Sequence, residues 1–196
     1  MAYDVLAESV ALIESPCLVP VQRLSRRRRF VAMAVDVAGD VAVSMFARRG
    51  VGCIWQETHV LALRDGGWAL LGGGGGTSDE DLLADRPAVL PSYLGLGDGA
   101  VTGADPQVMI VNGSGGVLDD GDEAEADRRP DSGRWISYGG VRVSAQVTSV
   151  QVSDRWLHVP WHGHVVLVWS GRQPPRVVAH DDGGRVLGEV LLPSTR

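Results

Sequence analysis

The chain contains no lysine; all 18 of its basic residues are arginines. That absence removes whole reaction classes. A phosphate-binding P-loop needs the lysine of its Gly-Lys-Ser/Thr end, protein-kinase chemistry needs a strand lysine, and Schiff-base chemistry needs an amine nucleophile. Cysteine is nearly absent as well: Cys17 and Cys53 show neither CxxC spacing nor a disulfide framework, which fits a reducing compartment and predicts two buried thiols. No run approaches the roughly 18 uninterrupted apolar residues of a membrane helix, and acidic Asp4 and Glu8 stand where a secretory signal would be basic. The expectation is a soluble, cytoplasmic protein with no membrane partner. A GC-rich genome also produces arginine in place of lysine together with abundant Ala, Gly, Val and Asp, so the bias excludes chemistry without naming any.

What is present suffices for a core. The 196 residues are 44% hydrophobic, enough for a single β-rich domain spanning 1–196. The formal charge is −6, and the stretch from Leu118 to Asp131 holds seven acidic residues against Arg128 and Arg129, hence five of those six charges. Outside it the chain is close to neutral. Nucleic acid is therefore not expected as a partner.

Periodicity organises the chain. In residues 2–14 the spacing of Tyr3, Leu6, Val10 and Ile13 predicts one amphipathic helix, ended by Pro16 and Pro20. From 30 to 71 the period becomes two. Val31, Met33, Val35 and Val37 lead through Gly39-Asp40 into Val41, Val43 and Met45, a hairpin, and a second pair runs from Cys53 to Arg64, through Asp65-Gly66-Gly67, to Trp68–Leu71. Residues 72–106, with five consecutive glycines at Gly72–Gly76 and then Pro87 and Pro91, read as a loop-like insertion. A short strand at Gln107–Val111 precedes a mobile acidic loop, 112–133. A β-meander occupies 134–192. In its predicted strand Val141–Val152, odd-numbered Val141, Val143 and Val147 conflict with even-numbered Val150 and Val152, which requires a bulge or break near Thr148-Ser149. The fold expected is mainly β, all-β or β-dominated α+β: a β-sandwich or partly open barrel of about ten strands with one N-terminal helix.

Four features carry candidate chemistry. His158, His162 and His164 crowd one turn. In an extended chain His162 and His164 project from one face, a spacing that suits a divalent metal, with His158 or His59 as third ligand. A polar turn between strands accounts for the same residues. Asn112-Gly113-Ser114-Gly115-Gly116 shares Ser-Gly-Gly with the nucleophile loop of chymotrypsin-like proteases, but lacks the preceding Gly and Asp and reads as a glycine-rich turn. Arg26, Arg27, Arg28 and Arg29 form a basic cluster suited to an acidic partner, or to the chain's own 119–127 acidic run. Of six tryptophans, Trp68 and Trp169 are assigned to the core and Trp161 to an exposed recognition surface.

These observations lead to a non-catalytic binding or assembly module, without cofactor, that recognises a protein partner or another copy of itself through Trp161 and Arg26–Arg29. Two alternatives stand beside it. One is a metal-dependent hydrolase or lyase of β-barrel type using His162 and His164. The other is a small-molecule or carbohydrate-binding protein that stacks its ligand on Trp156 and Trp161.

Overall fold

The computed structural model describes residues 3–78, 81–91, 105–121, 133–171 and 173–195. Strands β1 (Phe30–Ala38) and β2 (Val41–Arg49) form the expected hairpin, with Ala38 opposite Val41 and Gly39 turning the chain at φ 66°. Glycine takes this left-handed conformation without a Cβ penalty. Strands β3 (Ile54–Arg64) and β4 (Gly67–Ser78) form the second hairpin, closed by Asp65 and Gly66, both at positive φ as a type I′ turn demands. The four lie in the order β1-β2-β3-β4.

Two further antiparallel sheets follow. Strands β5 (Met109–Asp119), β6 (Arg134–Val143) and β9 (His164–Ser170) make a three-stranded sheet in that order. Strands β7 (Ser149–Val152), β8 (Arg155–His158), β10 (Arg176–His180) and β11 (Val186–Leu191) make the other, ordered β11-β10-β7-β8. With α1 (Val5–Glu14) the single helix among the described residues, the fold is mainly β and sandwich-like, as the sequence implies.

The three-stranded sheet is the middle layer, and residue parity shows why. Ile136, Val166 and Val168 pack with Met33, Val41, Val43 and Val60 of the first sheet. Val141, Val143, Val165, Leu167 and Trp169 pack instead with Val150, Val152, Val177 and Val190 of the last. Even and odd residues thus serve two cores. Strand β9 is covered on both faces, so Val165–Trp169 reads as an unbroken apolar run where a half-buried strand would alternate. Each such buried aliphatic side chain contributes about 1.5–3 kcal/mol.

Several expectations need correction. The glycine run is not a connector: Gly72–Gly76 lies inside β4, opposite Gln56–Val60 of β3. The strand expected at Gln107–Val111 begins at Met109 and continues through Asn112–Gly116 to Asp119, so this stretch is part of β5 where a loop was expected; residues 122–132 of the acidic loop lie outside the described residues. Antiparallel pairing with a neighbouring strand overrides glycine's low strand preference in both cases. Strand β6 passes through Gly139 and Gly140 to Val143 without interruption. The parity conflict is resolved as required, since the chain leaves the middle sheet after Val143 and enters the last sheet as β7 at Ser149, bringing Val147, Val150 and Val152 into one cluster.

The helix also departs from its expected face. Asp4 caps it, accepting from the Ala7 N–H at 3.1 Å. Leu6 is exposed, whereas Ser9 and Leu12 are buried. The Ser9 hydroxyl meets that of Ser44 on β2 at 2.8 Å, so two small polar residues let helix and sheet approach closely. Cys17 is exposed and Cys53 half-buried, contrary to the expectation of two buried thiols.

Candidate functional site

A groove of about 810 Å³ lies where the segment following α1 crosses β1 and β8. One wall comes from Ile13, Pro16, Leu18 and Pro20, the segment that the two prolines keep from continuing as helix. Opposite stand Trp156 and Leu157 of β8 with Pro160 and Trp161 beyond it; Val35 and Val37 of β1 complete the lining. Trp156 is 58% exposed, and its ring lies against His180 at 4.8 Å. Trp161, expected to be the exposed tryptophan, is half-buried instead: its indole N–H donates to the Leu83 carbonyl at 3.1 Å and its ring meets His162 edge-on. The structure therefore makes Trp156, not Trp161, the more exposed of the two and places both in one groove. Trp169 is in the core as assigned, and Trp68 is half-buried.

Asp36 and Arg155 also line the groove, and they perform a structural task. Strand β9 is an edge of its sheet, so the Val168 N–H and C=O turned away from β6 lack a strand partner. Asp36 Oδ2 accepts from the Val168 N–H at 2.9 Å, while Arg155 donates to the Val168 carbonyl at 3.2 Å and the Val37 carbonyl at 2.9 Å. The Arg155 guanidinium also bonds Asp36 Oδ1. One side-chain pair thus takes the place of a strand and joins all three sheets. Burial pushes the Asp36 carboxyl above the usual carboxylate range, outweighing the opposite pull of Arg155 and the Val168 and Val37 backbone.

The histidines are arranged by tautomer. His162 and His164 are buried, with ring centroids 5.4 Å apart. His162 Nε2 lies 3.1 Å from the Met33 carbonyl, which can only accept, so Nε2 carries the proton; Nδ1 then accepts from the His164 N–H at 3.0 Å. Both nitrogens of His162 are thereby engaged. The Asn112 amide nitrogen donates to His164 Nδ1 at 3.2 Å, which leaves His164 Nε2 as a buried N–H with no partner among the described residues. Burial lowers the pKa of His162 to about 4, Arg142 and Arg86 adding to the effect, and holds His164 well below the usual value. His158 is exposed at the end of β8, on the groove rim. Among the described residues no three His, Cys, Asp or Glu side chains are grouped to hold a metal ion.

His59, the other candidate third ligand, belongs to a separate cluster. Its Nε2 lies 3.3 Å from the Tyr3 hydroxyl and 3.9 Å from Glu57, which pairs with Arg48 at 2.6 Å. The Arg26–Arg29 side chains are exposed around a turn in which the Ser25 hydroxyl accepts from the Arg27 and Arg28 N–H groups. The acidic run does not answer them at its described end: Asp119 pairs with Arg64 and Arg134 instead. Asp36, Arg155 and Leu18 escaped the sequence reading. Asp36 alone left a signal there, as a carboxylate within an apolar period-two strand.

No family model, curated protein or solved structure matches the chain.

Proposed function

We propose that the protein acts by binding, and that its ligand is a small, uncharged, largely apolar molecule held in the groove between the post-helical segment and β8. The observation that carries this reading is a ligand-sized concavity with apolar and aromatic walls and an internally compensated ion pair in its lining. Small-molecule sites combine these features: about 300–1,000 Å³, apolar lining and few polar groups. An anionic ligand is disfavoured. It would have to draw Arg155 away from Asp36, and stranding a buried carboxylate costs about 3–5 kcal/mol. Trp156, held by His180 yet largely exposed, supplies a flat apolar face for a ring.

The test is a titration with the neutral dye Nile red. The expected result is saturable one-site binding with a blue-shifted emission, weakened about tenfold by Trp156→Ala, which removes a large aromatic contact. Non-saturable uptake, or equal affinity in the variant, would remove the groove as the site. A mass that rises with protein concentration and falls when Trp156 is replaced would point to self-association at the same face.

A further inference from the structure

The two glycine-rich stretches, far apart in sequence, converge on one cleft. Gly74–Gly76 of β4 and Asn112–Ser114 of β5 line a cavity of about 280 Å³ between the first and middle sheets. Met45 and Val166 give it an apolar side, while Gln56, Thr58, Thr77 and Tyr138 bring neutral polar groups; among the described residues no carboxylate, guanidinium or imidazole lines it. Thr58 is only 9% exposed, and neither its hydroxyl nor that of Tyr138 bonds to a described residue. Gln56 makes only a long 3.5 Å contact with the Met45 sulfur, and Asn112 directs its amide nitrogen to His164, leaving the carbonyl oxygen unused.

The glycines have two separable roles. A Cβ at Gly74 would lie 2.6 Å from the Tyr138 hydroxyl oxygen, and one at Gly115 would lie 2.5 Å from it, so glycine there admits the phenol between the strands. At Gly76 a Cβ would meet nothing within 4 Å, while Gly113 is held at φ 108°, a conformation that itself calls for glycine. Packing around Tyr138 explains Gly74 and Gly115 and backbone conformation explains Gly113, which leaves Gly76 as free volume beside unused hydroxyls.

We propose that this cleft binds a small neutral polyol the size of a single sugar ring. An ion would find no counter-charge in the lining and would lose its hydration uncompensated. Hydroxyl and carboxamide groups each offer donor and acceptor capacity, which matches the neighbouring hydroxyls of a polyol. The volume lies near the lower end of small-molecule sites, about 300 Å³. This proposal is independent of the groove.

The experiment is isothermal titration of the whole chain with glucose, galactose, mannose and myo-inositol, repeated with Thr58→Val, Tyr138→Phe and Gly76→Val. The expected result is saturable one-site binding of at least one of the four, insensitive to salt. Thr58→Val and Tyr138→Phe should each weaken it about fivefold, as loss of one neutral hydrogen bond implies, and Gly76→Val should abolish it by filling the cleft. Gly76→Val sits at an exposed strand position, so it keeps the test decisive if the buried Thr58 variant fails to fold. No saturable binding of any of the four at 50 mM, or binding unchanged in Gly76→Val and Tyr138→Phe, would overturn the proposal; Nile red binding would be unaffected by either outcome.

Discussion

Mild acid should destabilise this protein through His162. Its Nδ1 accepts from the His164 N–H at 3.0 Å, so a proton there sets donor against donor beside Arg142 and Arg86. The pKa in the folded chain is about 4, against an ordinary value of 6.5. Between those values the unfolded chain binds the proton and the folded chain resists it, so stability is complete above about pH 6.5 and falls as the pH drops. Integrating that difference gives a loss of about 2 kcal/mol near pH 5, levelling off at about 3.4 kcal/mol below the folded pKa. His164, also lowered by burial, adds in the same direction. Asp36, whose folded pKa is raised, acts oppositely, gaining stability as the pH falls through that value. Urea unfolding measured from pH 7.5 to 5 on wild type and His162→Asn isolates the term. The variant should be weaker at neutral pH, having lost the Met33 contact, and its pH dependence should be shallower by about 2 kcal/mol. Equal slopes in the two proteins, or a His162 ring proton titrating near 6.5 by NMR, would refute the reasoning.

Arg155→Met should lower stability by about 3–5 kcal/mol, because it strands the buried Asp36 carboxylate, while Asp36→Asn/Arg155→Met should recover much of the loss; chemical denaturation decides. Gly74→Ala should destabilise by about 1–3 kcal/mol through overpacking. Tyr138→Phe should relieve it, since the next ring atom is 3.7 Å away, but should not relieve Gly115→Ala, where ring carbons lie at 2.6 and 2.9 Å; thermal melts of the two double variants give the comparison. Ser9→Val should separate α1 from β2 by leaving the buried Ser44 hydroxyl unpaired, at about 1–3 kcal/mol, seen as earlier hydrogen exchange in α1.

Much of the fold was legible because its signals are local. Alternation through Val31–Val37 and Val41–Met45 marks one buried face, and Gly39 and Asp65-Gly66 close their hairpins with the residues that positive φ favours. The break before β7 followed from parity alone. The glycine strands were not legible, because glycine carries no side chain from which a face can be read, and pairing with Gln56–Val60 places Gly72–Gly76. The helix face was misassigned because Ser9 is buried by its bond to Ser44, a partner that hydrophobic spacing cannot reveal.

The same division holds for the candidate sites. The sequence alone determined the strand-rich architecture, the absence of amine chemistry and the crowding of Trp156, Trp161 and three histidines near one turn, since these depend on composition and short-range order. Tertiary structure decided that Trp156 and not Trp161 faces outward, that His162 and His164 are locked as neutral tautomers, and that Gly74–Gly76 and Asn112–Ser114 share a cleft. Each of those outcomes depends on a backbone carbonyl, an N–H or a neighbouring strand supplied from elsewhere in the chain, and such partners exist only once the sheets have stacked.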